Sequence, residues 1–271
     1  MTDRYAVIGN PIGHSKSPRI HAAFAAQTGE DMAYDAILAP LDGFDAAVRA
    51  FRAAGGRGLN VTVPFKLQAV ALCDERSERA REAGAVNTLR FDAAGVLGDN
   101  TDGAGLVADI TRRLGVALGG ARVLLLGAGG AARGVIGPLL RERPAELRVA
   151  NRTVDKALDL ERQFAAQGPI AAGGYDGLAG RRFDVVVNAT SASLSGLVLP
   201  LPPGLYAPRA LAYDMVYGDR PTTFLEQARA GGAATLADGL GLLVAQAAES
   251  FWLWRGVRPE TAPVIERLRA S

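Results

Sequence analysis

From Ala121 to Leu140 the chain reads "ARVLLLGAGGAARGVIGPLL", a continuous apolar run that ends in glycines and continues as a helical pattern. An apolar run without polar alternation suits a strand covered on both faces, and a glycine turn leading directly into a helix suits a parallel βαβ unit. Within it, Gly127 to Ala132 fits G-x-G-x-x-A. Gly127 allows the tight turn, Gly129 leaves room for a pyrophosphate, and Ala132 lets the helix pack closely. Ala128, Gly130 and Ala131 complete the turn, where helix amides and the positive dipole end favour a phosphate. Glycine triplets also occur in plain turns, but the strand before and the helix after point to a dinucleotide.

The next strand ends in "ANRT". Asp or Glu at that tip would suit a free ribose 2′-hydroxyl. Here stand Asn151, Arg152 and Thr153, with Lys156 just beyond, and cations suit a 2′-phosphate. The pattern predicts NADP rather than NAD. Asp155 is the one carboxylate close by, and a solvated strand-to-helix turn is the plain alternative.

The rest of the chain alternates in the same way. "YAVIG", "AYDAILAP" and "GLNVTVP" read as strands, separated by the helical patterns "SPRIHAAFAAQTG" and "DGFDAAVRAFRAAG". A helix is expected from about Phe65, followed by the extended pieces "GAVNTLRF" and "GVLGDNTD". "DGAGLVADITRRLG" reads as helical, and "LRVANRT", "FDVVVNATS" and "ALAYDMVY" as further strands. With 271 residues, two α/β lobes are expected. The first is residues 1–102 and the second, a doubly wound Rossmann-type unit, residues 103–237. In residues 238–271, Leu240, Leu243, Val244, Ala247, Phe251 and Trp254 form one helical stripe, which is expected to return to the first lobe.

Composition excludes several classes. The net charge is +2 and the 30 Lys and Arg are scattered, which argues against a nucleic-acid partner. No run of about 18 apolar residues is present, so no membrane span is expected. Cys73 is the single cysteine and His14 and His21 the only histidines, which leaves no material for a disulfide framework or a His/Cys metal cluster. A cytoplasmic protein, monomeric or homodimeric, is the resulting expectation.

The stretch "GLNVTVPFK" is unusual for a buried strand. Asn60 and Thr62, two apart, leave an extended chain on the same side, Pro64 ends the strand, and Lys66 follows. A half-exposed strand with a surface lysine is the plain reading. In "HSKSP", Ser17 as N-cap with Pro18 at the first helical position explains one serine and leaves Ser15 without a role. Two hydroxyls beside a helix start would also receive a small carboxylate. His14 and His21 read as structural. Asp102 in "GDNTDG" suits a helix cap, Asn87 in "AVNT" a turn, and Tyr217 and Gln246 a surface or packing place.

Taken in order, "VIGNPIGHSKSPRIH", "GLNVTVPFK", "AVNT", "GDNTDGAG", "LLLGAGGAARG", "NRT", "NATS", "YDMVY" and "DGLGLLVAQAAESF" resemble the shikimate dehydrogenases over almost the whole chain. The resemblance implies reversible, NADPH-dependent reduction of 3-dehydroshikimate to shikimate on the way to aromatic amino acids, in a cleft between the lobes. It implies Lys66 and Asp102 as the catalytic pair. Ser15, Ser17 and Tyr217 would hold the substrate carboxylate, and Asn60, Thr62, Asn87 and Gln246 the ring hydroxyls. Thr190, Met215 and Gly239 join the glycine turn and the "NRT" tip on the cofactor side. Two positions depart from the common pattern, Ser193 where many members carry glycine and Leu242 where methionine is frequent, and both fall on the nicotinamide side. A quinate/shikimate dehydrogenase is the nearest rival; in the similar quinate enzymes the second serine is often threonine, so Ser17 favours shikimate. A non-catalytic NADP-binding regulator would lack Lys66 or Asp102.

Overall fold

The computed structural model describes residues 2–270, in two compact units: residues up to Gly105 together with Val244 onward, and Leu106–Leu243. The first unit contains β1 (Asp3–Gly9), α1 (Ser17–Thr28), β2 (Met32–Leu38), α2 (Phe44–Ala53), β3 (Gly56–Val61), β4 (Glu75–Arg76), α3 (Glu78–Ala83), β5 (Thr88–Asp92) and β6 (Gly95–Asp99). Its sheet runs β2-β1-β3-β5-β6-β4. β1 pairs in parallel with β2 and β3, whereas β5 is antiparallel to both β3 and β6. The sheet is therefore mixed, and it is the β5–β6 hairpin that turns "AVNT" and "GDNTDG" toward the end of β3.

α4 (Asp102–Ala108) leads into the second unit, which contains β7 (Arg122–Leu126), α5 (Gly130–Arg141), β8 (Glu146–Ala150), α6 (Val154–Phe164), β9 (Ile170–Gly173), β10 (Phe183–Asn188), β11 (Tyr206–Asp214), α7 (Thr223–Ala230) and β12 (Thr235–Ala237). All its strand pairs are parallel, in the order β12-β11-β10-β7-β8-β9. Alternate residues of the apolar strands serve opposite faces. Val123, Leu125, Val185 and Val187 belong to one core, and Leu124, Leu126, Val186 and Ala212 to the other. Helices cover both faces, so "RVLLL" and "FDVVVN" carry no polar alternation over their buried residues. The strand order reverses beside β7, and there the C-terminal strand ends form the usual crevice for a ligand.

α8 (Leu240–Arg255) begins in the second unit and α9 (Ala262–Arg269) lies in the first. Phe251 is fully buried against Phe24 of α1. Trp254 stacks on Tyr5 at 4.7 Å and donates its indole N–H to Leu89 O at 3.0 Å. A Cβ on Gly58 would stand 2.4 Å from that indole nitrogen, so β3 needs glycine there for the helix to seat. Because α4 and α8 continue across the change of unit, the structural boundaries fall later than the turn chemistry at Asp102 and Ala237.

Two local expectations are corrected, and the helix expected after Asp102 is present with a change of type. The segment after Phe65 is a set of turns ending in a 3₁₀ stretch, Gln68–Leu72, rather than a helix. Only Phe65 and Ala69 are buried there, too little apolar face to support regular helix. "DGAGLVADITRRLG" is α-helical only to Ala108 and continues to Arg113 as a π-helical turn, where Arg113 grips the carboxylate of buried Asp109. Ser17 is the first residue of α1 and makes no capping hydrogen bond through its side chain; Ser15 Oγ instead accepts from the Ser17 amide at 3.3 Å. Lys16 is the N-cap residue and its side chain makes no capping hydrogen bond, so Ser15 meets the first helical amide without being the cap, and Pro18 takes the second helical position.

Candidate functional site

In the first unit, β3 ends at Val61, with Asn60 inside the strand and Lys66 a few positions past its end. Thr62 lies just beyond the strand, its amide bound to Ile8 O at 3.0 Å and its methyl against Gly9, where a Cβ would stand 2.5 Å away. Lys66 Nζ donates to Asp102 Oδ2 at 2.6 Å. The pair remains 31% and 20% exposed, open enough for a ligand to reach it. Asp102 begins α4 and its amide donates to Asn100 Oδ1 at 3.2 Å, so the helix start holds the carboxylate without needing it as a cap.

Asn87 is buried and fully engaged. Its Nδ2 donates to Asp102 Oδ1 at 2.8 Å and Thr101 Oγ1 at 3.0 Å; its Oδ1 accepts from the Thr101 amide and Thr88 Oγ1, both at 2.9 Å. Each oxygen of Asp102 thus has its own donor, Asn87 on one and Lys66 on the other. Gln246 of α8 accepts from Thr101 Oγ1 at 3.3 Å. Asn60, also buried, donates to Ser250 Oγ at 2.8 Å and accepts from Tyr34 Oη at 2.7 Å. Ser15 is half-buried and Ser17 buried at the start of α1.

Tyr34, Thr88, Thr101 and Ser250 are participants that sequence reasoning passed over. Thr88 and Thr101 lie inside stretches already singled out, and Ser250 follows Gln246 by four positions, on the same helix face. Tyr34 has no such signal, because only sheet pairing puts β2 next to β1 and β1 next to β3.

Beneath these groups, His21 is fully buried and stacks on Tyr34 at 4.1 Å, and neither ring nitrogen makes a hydrogen bond. Burial holds its pKa down to about 3, so the ring is a neutral packing element. Behind the hairpin, burial alone would push the Asp99 carboxyl up. The hydrogen bonds and charge of Arg79, with Ser77 and the Asn100 amide, outweigh that and hold it below its ordinary value.

In the second unit the candidate residues gather at the C-terminal ends of the parallel strands. Gly127 follows β7 with φ +110°, and a Cβ there would meet the Thr190 methyl at 3.1 Å and Ala189 O at 3.2 Å. Gly129 caps α5, and Gly129 and Gly130 face open space where a side chain would begin. Bare backbone at a helix start is the cradle a pyrophosphate requires. Ala128 is half-buried, Ala131 exposed and Ala132 buried in the helix packing. Asn151 Nδ2 donates to Thr153 O at 2.8 Å, and Arg152 and Lys156 stand exposed at the β8 tip.

Thr190 Oγ1 donates to Asn188 Oδ1 at 2.7 Å. The Met215 amide donates to Asn188 O at 2.9 Å, and Gly239 backs onto Met215 so closely that a Cβ would lie 2.1 Å from its carbonyl oxygen. Ser193 donates to buried Asp214 Oδ2 at 2.6 Å, and Leu242 lies in the core. Tyr217 is half-buried, and burial pushes its hydroxyl pKa up, which keeps it a proton donor.

These features define a two-domain α/β protein whose second unit is a Rossmann-like, all-parallel six-stranded sheet. Residues 7–89 match the shikimate dehydrogenase substrate binding domain, residues 109–197 the shikimate / quinate 5-dehydrogenase family, and residues 239–269 the shikimate 5'-dehydrogenase C-terminal domain. A shikimate dehydrogenase (NADP(+)) of Nitrosospira multiformis is 62% identical over 271 residues, covering 100% of this chain and 98% of that protein. An Ael1 enzyme from Pseudomonas putida superposes with a TM-score of 0.94 at 50% identity, covering 98% of each chain. The Thermus thermophilus shikimate 5-dehydrogenase, solved with NADP(H) and shikimate, superposes with a TM-score of 0.85 at 35% identity over 99% of each chain. The chain belongs to the shikimate dehydrogenase family.

Proposed function

We propose that this chain catalyses the NADP-dependent, reversible reduction of 3-dehydroshikimate to shikimate, with the first unit and the C-terminal helices binding the substrate and the second unit binding NADP. The observation that carries the reading is the Lys66–Asp102 pair at 2.6 Å, reached from β3 and from the start of α4. NADPH supplies the hydride. Delivery to a ring carbonyl leaves an alkoxide, and Lys66 donates the proton it needs, or accepts it in the reverse direction. Asp102 orients the ammonium and balances its charge, while Asn87 holds the far carboxylate oxygen so that the near one stays aimed at Lys66. Ser15 and Ser17 take the substrate carboxylate, and Asn60, Thr62, Asn87 and Gln246 the ring hydroxyls; Tyr217, in the second unit, is assigned to the carboxylate by the family resemblance alone.

On the cofactor side, Gly127, Ala128, Gly129, Gly130 and Ala131 receive the pyrophosphate, and Asn151, Arg152, Thr153 and Lys156 the 2′-phosphate. Thr190, Met215 and Gly239 line the nicotinamide end. The open backbone at Gly129 and Gly130 and the absence of a carboxylate at residues 151–153 support this placement. Among the described residues no helix is long and apolar enough to cross a membrane, and the single cysteine suits a reducing, cytoplasmic setting.

The test follows NADPH absorbance with shikimate and quinate offered separately, each with NADP and with NAD. Shikimate with NADP is the expected best pair. Quinate's extra hydroxyl, buried without a partner, costs about 1 to 3 kcal/mol, roughly five- to hundredfold in kcat/KM. Comparable values for the two acids would move the chain to the quinate/shikimate group.

A further inference from the structure

The side chain of Asn60 has only one way to face its neighbours. Its Nδ2 lies 3.4 Å from Asn87 O, a carbonyl that can only accept, so the atom on that side is the nitrogen. The same nitrogen donates to Ser250 Oγ at 2.8 Å and Thr88 Oγ1 at 3.1 Å. Those hydroxyls are committed further on: Thr88 Oγ1 donates to Asn87 Oδ1 at 2.9 Å and Ser250 Oγ to Gln246 O at 3.2 Å. Both amide hydrogens of Asn60 are therefore turned inward. On the opposite side the Tyr34 hydroxyl donates to Asn60 Oδ1 at 2.7 Å.

Tyr34 is itself held. Its ring stacks face to face on buried His21, with 7° between the planes. Burial pushes its hydroxyl pKa well above the ordinary value, against a weaker contribution from Ser17, so it remains a donor. Whatever Asn60 offers a ligand comes from its carbonyl oxygen, because the nitrogen has no hydrogen to spare.

We propose that Tyr34 is a positioning residue for substrate selection: it locks the Asn60 amide so that Asn60 presents only an acceptor, which selects a ring hydroxyl that donates at that position and disfavours a ring carbon bearing hydrogen, an ether or a ketone there. Ser250 and Thr88 complete the lock from the nitrogen side and join Asn60 to Asn87 and Gln246 in one hydrogen-bonded chain. Nothing in this role touches the reacting atoms. Loss of the lock weakens recognition and leaves the proton transfer between Lys66 and the substrate oxygen in place. The assignment rests on the shikimate reading above.

Steady-state kinetics of wild type, Tyr34→Phe and Ser250→Ala decide it, with shikimate and with analogues each lacking one ring hydroxyl. Tyr34→Phe keeps the ring on His21 and removes one oxygen, and thermal unfolding checks that it folds. The expected result is a KM for shikimate about tenfold higher with kcat within about threefold and KM for NADP unchanged. For one deoxy analogue the wild-type penalty shrinks in Tyr34→Phe, since the amide, held from the nitrogen side alone, no longer keeps its oxygen aimed at the hydroxyl that this analogue lacks. Ser250→Ala shifts preference for the same analogue. If Tyr34→Phe leaves the KM for shikimate within twofold, or weakens shikimate and every analogue by the same factor, the assignment is overturned. Wild type inactive on shikimate overturns the functional reading instead, which separates the two failures. If Tyr34→Phe does not fold, Ser250→Ala decides alone, and unchanged analogue ratios there overturn the lock.

Discussion

The two units assemble their candidate sites by opposite means. The first unit uses side chains brought from far apart in sequence: Asn60 bonds Ser250 across 190 positions and Lys66 meets Asp102 across 36. The second uses backbone, with glycines and short turns at the ends of neighbouring parallel strands and partners such as Thr190 and Asn188 only two positions apart. A site of side chains is damaged by removing atoms and largely keeps its fold. A site of bare backbone is damaged by adding them.

The largest expected effect breaks the first of these. Lys66→Ala should lower kcat by at least about a hundredfold with KM changed far less, because general acid catalysis contributes about 10²- to 10⁴-fold. Asp102→Asn should impair turnover as well, and the double variant should lose less than the product of the single losses, since the two act as a unit. Near-normal kcat in Lys66→Ala would remove the lysine from the chemistry.

On the second unit, Arg152→Ala should erase most of the preference for NADP over NAD. A charge-assisted phosphate contact is worth about 1.5 to 3 kcal/mol, roughly ten- to hundredfold in kcat/KM. Wild type that uses both cofactors equally would refute the role of the β8 tip.

The glycine turn offers a sharper contrast, because two of its members fail differently. Gly127→Ala puts a Cβ at φ +110° against Thr190 and Ala189, so it should destabilise the fold by about 1 to 3 kcal/mol in urea denaturation. A Cβ in Gly129→Ala meets nothing within 4 Å among the described residues. It should leave the denaturation midpoint unchanged and raise the KM for NADP about tenfold, as a side chain fills the phosphate's approach. A variant at Gly129 with wild-type KM would place the cofactor elsewhere.

The smallest effect lies in the support of the first site. Asp99 has a depressed folded-state pKa, so it contributes stability above the unfolded value near about 4 and loses that contribution as pH falls through the lower folded value. Wild type should therefore lose stability on acidification below about pH 4, and Asp99→Asn should flatten that slope. Equal slopes for the two proteins would show that Arg79 does not hold the carboxylate ionised.

How much of this was legible follows from how local each feature is. The glycine turn, the "NRT" tip and the apolar stripe of α8 are carried by consecutive or periodically spaced residues, so pattern alone exposes them. The cap expected at Ser17 failed because capping depends on where α1 actually begins, and Lys16 takes that position. Ser193, a departure by sequence, gained a reason only when β11 brought buried Asp214 within 2.6 Å.

By itself the sequence determined the α/β architecture, the glycine turn after β7 and the cations at the β8 tip. Each of these depends on residue type and spacing within one segment, where backbone geometry permits few arrangements. Tertiary structure alone decided that Asn87 engages the second oxygen of Asp102, that Tyr34 rather than a loop residue orients Asn60, and that Thr88 and Ser250 join the amides into one chain. Those contacts depend on sheet order and on α8 seating over Gly58, long-range pairings that no local pattern encodes.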